Sequence, residues 1–260
     1  MLLAIDVGNS QITFGLFQSK QFIARWHIPS DVTRSATEYA DALVAQKKTH
    51  PLESITGAIL VSVVPALTQT IQAALQATLK IAPRVVTHRL QTGLTIRYAD
   101  PTCLGADRIV NAAAAYHLYG GPIVIVDFGT ATTFCAVSEM GEYLGGAIAP
   151  GLSISAEALF SRAAQLPRVA LIPPKQALCT NTVHSMQSGI LFGHVGLVNE
   201  MVRRIWREMG REAPVTATGG FCELIAPECK TISRINPNLT LEGLQILYEM
   251  NPEGPGGRQS

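Results

Sequence analysis

The sequence predicts an α/β protein made of two similar halves. Two observations carry that expectation: strand and helix patterns alternate along most of the chain, and one short motif occurs twice. The motif is an apolar residue, Asp, an apolar residue, Gly and small polar residues. Its copies are Ile5-Asp6-Val7-Gly8-Asn9-Ser10 and Val126-Asp127-Phe128-Gly129-Thr130-Ala131, with Asp127 standing 121 residues after Asp6. Each copy ends one apolar strand and opens a run of three strands, so the self-similarity reads as a duplication. The expected lobes are residues 1–118 and 119–260, with a cleft between them.

In the first half, strands are expected at Leu2 to Val7, Gln11 to Phe17 and Phe22 to His27, joined by the turns Gly8-Asn9-Ser10 and Gln18-Ser19-Lys20. A helix from Ser35 to Lys47 follows, then a strand from Ala58 to Val63. Leu67, Ile71, Leu75 and Leu79 share one face of a helix over Ala66 to Leu79, and a strand lies near Arg84 to Thr87. The alanine-rich stretch Ala106 to Tyr119 carries Asp107 in its first turn and stops at Gly120-Gly121, as a helix does.

The second half restarts the pattern with strands at Ile123 to Val126, Thr132 to Val137 and Tyr143 to Ile148. Helices near Ile154 to Ala164 and Thr182 to Met209 follow. A strand Val215 to Ala217, a helix near Gly220, a strand Thr231 to Ser233 and a helix Leu239 to Met250 complete it. Met186, Ile190, Val198, Met201, Ile205 and Met209 recur at helical spacing and read as core or dimer interface. The Gly- and Pro-rich tail 251–260 is expected to be disordered.

Composition limits the partners. Charged residues make up 15% of the 260, against about 25% in a typical globular protein, and hydrophobic residues 47%. A net charge of +1 gives no electrostatic footprint for nucleic acid or an acidic membrane. The opening Leu2 to Val7 reads as a buried strand rather than a targeting signal, and the longest apolar run, Gly57 to Leu67, is too short for a membrane helix. Five cysteines without a Cys-x-x-Cys pair fit reduced thiols in a cytoplasmic protein. The six histidines show no ligand spacing. The expected partner is a small molecule or another protein chain.

An Asp at a strand end followed by Gly and hydroxyl residues suits a nucleotide. Glycine lets backbone approach a phosphate, and Asn9, Ser10, Thr130 and Thr132 can donate hydrogen bonds. The carboxylate can hold a neutralising cation. For a single copy, a tight hairpin with Asp as turn residue explains the pattern equally well. There is no Gly-Lys-Ser/Thr, and the sole Gly-x-Gly lies in the tail at Gly254-Pro255-Gly256, so neither a Walker loop nor a dinucleotide fingerprint is present. The glycines are spread over several loops (Gly8, Gly105, Gly129, Gly145-Gly146, Gly151, Gly219-Gly220), which suits two lobes closing on a nucleotide.

The doubled motif, with Ala217-Thr218-Gly219-Gly220 placed like an adenosine-side glycine loop, resembles the superfamily of actin, hexokinase and the heat-shock chaperone ATPases. That implies a duplicated ribonuclease H-like, actin-like ATPase fold. More narrowly, the chain resembles the type III pantothenate kinases in five ordered motifs: Asp6-Val-Gly-Asn-Ser10, Gly105-Ala-Asp-Arg108, Asp127-Phe-Gly-Thr-Ala-Thr132, Gly145-Gly-Ala-Ile-Ala-Pro-Gly151 and Ser185-Met-Gln-Ser-Gly189. The resemblance implies ATP-dependent phosphorylation of the pantothenate hydroxyl. Asp107 would be the general base and Arg108 the partner of the pantothenate carboxylate. Tyr98, Gly105, Ala106 and Thr182 would complete the substrate pocket. Asp6, Val7, Gly8, Asn9, Ser10, Gln11, Ile12 and Thr13 would hold the ATP phosphates with Thr130 and Thr132. Asp127 would ligate a monovalent cation, potassium or ammonium, while Mg²⁺ accompanies ATP, and the resemblance further implies a homodimer. Ser10 departs from the family's usual threonine but keeps the hydroxyl. Cys179-Thr180-Asn181-Thr182 departs from the glycine and basic residue usual before the Asn-Thr.

Other readings stand beside these. Asp107 also suits a first-turn acid favoured by the helix dipole, Thr182 suits a helix cap, and Cys103 reads as a packed thiol rather than a nucleophile. At the level of function, a nucleotide-binding transcriptional accessory factor and another small-alcohol kinase of the superfamily remain open.

Overall fold

The computed structural model describes residues 1–47 and 49–252. The chain divides into two compact units. Among the described residues, one comprises residues 1–94, 99–114 and 239–252, and the other residues 95–98 and 115–238.

The first unit is a five-stranded sheet. Its strands are β1 (Leu2–Val7), β2 (Gln11–Gln18), β3 (Gln21–Pro29), β4 (Gly57–Ser62) and β5 (Arg84–Val85), in the order β3-β2-β1-β4-β5. β1 pairs antiparallel with β2 and parallel with β4. Alternation along β1 divides its side chains between two cores. Leu3, Ile5 and Val7 pack with Ile12 and Phe14 of β2 and with Tyr39, Leu43, Leu67, Ile71 and Leu75, a layer supplied by α1 (Ala36–Gln46) and α2 (Pro65–Leu79). Leu2 and Ala4 on the opposite face meet Ile59, Val61, Val110, Leu241, Leu244 and Leu247. These come from β4, from α3 (Ala106–Tyr119) and from α7 (Leu239–Met250). Burying each leucine of α7 contributes roughly 1.5–3 kcal/mol. The entry to α1 is fixed by a capping box: Ser35 N–H donates to Glu38 Oε2 at 2.8 Å and Glu38 N–H to Ser35 Oγ at 3.3 Å.

The second unit repeats the opening. β7 (Ile123–Phe128) and β9 (Glu142–Pro150) lie 121 residues after β1 and β3 at both ends, and β8 (Ala131–Val137) stands between them. β6 (Thr95–Ile96), β10 (Val215–Thr218) and β11 (Arg234–Ile235) complete a six-stranded sheet in the order β11-β10-β7-β8-β9-β6. The connecting elements are α4 (Leu152–Arg162), α5 (Thr182–Met209) and the short α6 (Cys222–Ile225). Val124, Val126, Phe128, Val215 and Ala217 form the sheet side of its core. Met186, Ile190, Val198 and Val202 form the α5 side, with Met201, Ile205 and Met209 packed at its margin. The α5 stripe is therefore core.

Several boundaries differ from the sequence expectation. The division into units departs from a cut at 118/119 because α7 fills one face of the first sheet, and because Thr95–Ile96 pairs with Glu142 and Tyr143. That two-residue strand carries no periodicity and was not expected. The last strand lies at Arg234–Ile235 rather than 231–233, where Thr231 instead bonds Asn199 through Oγ1 at 3.0 Å. Asn251 is tied in place, its Nδ2 donating to the Gln91 carbonyl at 2.8 Å; the remainder of the expected tail from 253 onward lies outside the described residues.

Candidate active site

The hairpin β1–β2 carries the first motif. Asp6 pairs with Thr13 and Val7 with Ile12, and Gly8 N–H closes the turn on the Gln11 carbonyl at 3.1 Å. A Cβ on Gly8 would stand 3.1 Å from that same oxygen, a tight contact. Val7 and Ile12 are buried as anchors, Asp6, Gly8 and Thr13 are half-buried, and Asn9, Ser10 and Gln11 are exposed. The segment Asp6 to Thr13 thus holds its ends in the core and presents its polar turn to solvent.

The start of α3 carries the second group in this unit. Asp100 caps the turn at Pro101–Cys103 by accepting from Thr102 N–H at 2.9 Å and Thr102 Oγ1 at 2.6 Å, and Leu104 is buried beyond it. Gly105 and Ala106 then lead into Asp107 and Arg108. A Cβ on Gly105 would lie 2.6 Å from Asp107 Oδ1, so the carboxylate folds back over the glycine. Burial pushes the Asp107 carboxyl above its ordinary range, against the opposing pull of the Arg108 N–H and guanidinium. Arg108 itself is only 6% exposed. A carboxylate raised toward neutrality beside a buried guanidinium is suited to accepting a proton from a hydroxyl. Cys103, expected to be packed, is exposed, and its Sγ donates to Asp100 at 3.2 Å. That hydrogen bond and the Asp100 charge push its thiol up, which suppresses thiolate chemistry.

In the second unit Asp127 pairs with Thr133 across β7–β8 and lies beside Thr218 of β10. Gly219 has φ +89°, and a Cβ there would overlap Asp127 Oδ1 and the Phe128 backbone. Backbone therefore seats the carboxylate. The Thr218 hydroxyl is buried without a hydrogen-bond partner among the described residues. Thr130 is half-buried in the turn. Thr132 points the other way: it is 1% exposed and its Oγ1 lies 2.9 Å from His194 Nε2 of α5, so this hydroxyl is engaged inside the protein. Tyr98 belongs to this unit too, half-buried with its ring centroid 6.2 Å from that of Tyr143. Thr182 is the exposed first residue of α5; the cap is Asn181, whose Oδ1 accepts from His184 N–H at 2.9 Å. Ser185 to Gly189 also has a structural duty, since Gln187 Nε2 and Ser188 Oγ donate to the carbonyls of Ala170 and Ala177, both at 2.8 Å. Sequence reading missed His194, whose only signal is its place opposite Thr132 in the fold.

Among the described residues no three His, Cys, Asp or Glu are grouped for a metal ion. The Asp127 carboxylate is a hard oxygen donor, and Thr218 stands beside it in the sheet register.

The type III pantothenate kinase family model matches residues 2–204. The chain belongs to this family. A type III pantothenate kinase of Moorella thermoacetica is 49% identical over 255 residues, covering 96% of this chain and all of that one. One from Dehalococcoides mccartyi is 45% identical over 252 residues, covering 96% of both. Among solved structures, a putative Baf family transcriptional activator from Campylobacter jejuni matches with a TM-score of 0.62 at 17% identity, over 95% of this chain and 97% of that one. The activator of 2-hydroxyisocaproyl-CoA dehydratase from Clostridium difficile, with bound ADPNP, matches at 0.51 and 11% identity, over 96% and 94%. Both likenesses concern the fold, which is the actin-like ATPase fold expected for the family. No helix among the described residues is long and apolar enough to cross a membrane.

Proposed function

We propose that the protein is an ATP-dependent pantothenate kinase, making 4′-phosphopantothenate at the first step of coenzyme A biosynthesis. The observation that carries this reading is the start of α3, where the half-buried Asp107 has its carboxyl raised by burial beside the buried Arg108. Asp107 accepts the proton of the pantothenate hydroxyl as that oxygen bonds to the γ-phosphorus. The bond from phosphorus to the bridging oxygen breaks and ADP leaves. Arg108 holds the pantothenate carboxylate through paired N–H donors, with Tyr98, Gly105, Ala106 and Thr182 as further substrate contacts.

Asp6 to Thr13 hold the phosphates from one hairpin and Thr130 from the other, while Thr132 supports its turn from the core side. Asp127 ligates potassium or ammonium, and the Thr218 hydroxyl fits that role as a neighbour. Mg²⁺ bound with ATP would neutralise phosphate charge that the transfer develops. The protein works as a cytoplasmic homodimer. Exposed Leu144 and Ile148 on β9, with Ile154 and Leu159 on α4, are apolar side chains that a second copy would cover.

The test is a panel of acceptors and cations. With ATP, Mg²⁺ and potassium, pantothenate is expected to be phosphorylated and other small alcohols left unchanged, and sodium in place of potassium suppresses turnover. Absence of product from pantothenate under every salt condition would overturn the reading.

A further inference from the structure

The residue after the third strand lies against the turn after the first strand in both units. In the first unit Ser30 Oγ donates to the Gly8 carbonyl at 2.6 Å, and Ser30 N–H donates to the Ser10 carbonyl at 3.2 Å. The residue 121 positions on is Gly151, where a Cβ would overlap the carbonyl oxygens of Thr130 and Gly129. The same place in the duplication meets the same turn twice. A hydroxyl reaches it in one copy and the backbone touches it directly in the other.

We propose that Ser30 is a positioning residue for the turn Gly8 to Ser10, and that Gly151 has the same duty at Gly129 and Thr130. The proposal rests on reading these turns as nucleotide-phosphate loops. Carbonyl oxygens carry partial negative charge and repel phosphate. Tying those of Gly8 and Ser10 back to residue 30 keeps them engaged with the protein and fixes the turn before nucleotide arrives, which lowers the ordering cost of binding. At Gly151 no hydroxyl is needed because the strand end already abuts the turn, and no larger residue fits.

Binding of a non-hydrolysable ATP analogue with Mg²⁺, measured by calorimetry, tests this independently of the acceptor. Ser30→Ala is expected to weaken the analogue about fivefold, the effect of one ordinary hydrogen bond. KM for ATP rises by the same factor while kcat and KM for pantothenate hold, and Ser30→Thr restores affinity. Gly151→Ala is expected to cost about tenfold or more, since overpacking displaces the turn. Its melting temperature is read in parallel, and if it does not fold, Ser30→Ala decides alone. Wild-type affinity in Ser30→Ala overturns the proposal, and so do equal losses for both substrates with a lowered melting temperature. If analogue binding falls in Ser30→Ala but the wild type does not phosphorylate pantothenate, the acceptor reading fails and the brace stands. If the wild type binds no nucleotide, both fail.

Discussion

His194 Nε2 lies 2.9 Å from Thr132 Oγ1 inside the second unit, where both residues are buried. The pair pins α5 to β8 at the strand that leaves the Asp127 turn. Removing one partner leaves the other buried and unsatisfied, at a cost of roughly 1–3 kcal/mol. A double-mutant cycle with Thr132→Val and His194→Phe, followed by chemical denaturation, is expected to give a coupling of about 1 kcal/mol.

The same histidine sets a pH dependence. Burial pushes the His194 imidazole below 6.5, so the folded protein resists its protonation. Above 6.5 both states are neutral and the residue adds no slope. As pH falls through 6.5 the unfolded chain takes up the proton first, so stability is lost until the folded pKa is reached. Melting temperatures between pH 7.5 and 5 should fall less steeply in His194→Gln than in the wild type, with pH values chosen to span the range of histidine titration.

Asp107→Asn is expected to fold and to bind nucleotide while losing about 10²- to 10⁴-fold in kcat, the span of a general base. Because burial raises the carboxyl, the acid limb of the wild-type kcat profile should lie above the ordinary carboxylate range. Steady-state rates across pH check both statements. Turnover near wild type in the asparagine variant would place the base elsewhere.

Gly219→Ala forces a left-handed backbone on alanine and drives a methyl into Asp127 Oδ1. The carboxylate must move, so the proposed potassium activation should weaken. Titrating potassium at saturating ATP reads this directly, with a destabilisation of about 1–3 kcal/mol expected alongside.

Gly243→Ala tests the packing of α7 against α3. A Cβ there would stand 2.8 Å from Val110 Cγ1 and 2.9 Å from the Ala114 methyl, within the first unit. Overpacking of this kind costs about 1–3 kcal/mol, visible as a lowered denaturation midpoint.

Where local pattern decides structure, the sequence was readable. Leu2 to Val7 and Ile123 to Phe128 announce themselves as apolar runs closed by Asp-x-Gly, and Thr182 to Met209 by its periodic stripe, because each must bury a continuous face. The limits of β11 and the very existence of β6 were not readable, since two-residue strands owe their form to the neighbour they pair with. The destination of α7 was hidden for a similar reason: Leu241, Leu244 and Leu247 advertise a buried face but not which sheet it covers. At the site, Asp6, Asp107 and Asp127 stood out through motif and resemblance. The inward turn of Thr132 and the bond from Ser30 to Gly8 depend on side-chain direction across paired strands, and no spacing rule encodes that.

The first unit is sewn from both ends of the chain, for β1 is covered by leucines from α7, more than 230 residues away along the sequence. During synthesis, residues 95–98 and 115–238 leave the ribosome with every strand of their sheet made, while the earlier-made sheet still lacks Leu241, Leu244 and Leu247 on the face that Val110 and Ala113 share. The core of the first unit is thus complete only once α7 has been made. Chain shortened at residue 238 would keep the Asp6 turn and Asp107 in its sequence yet expose a greasy sheet face, and chaperone capture or aggregation is its expected fate.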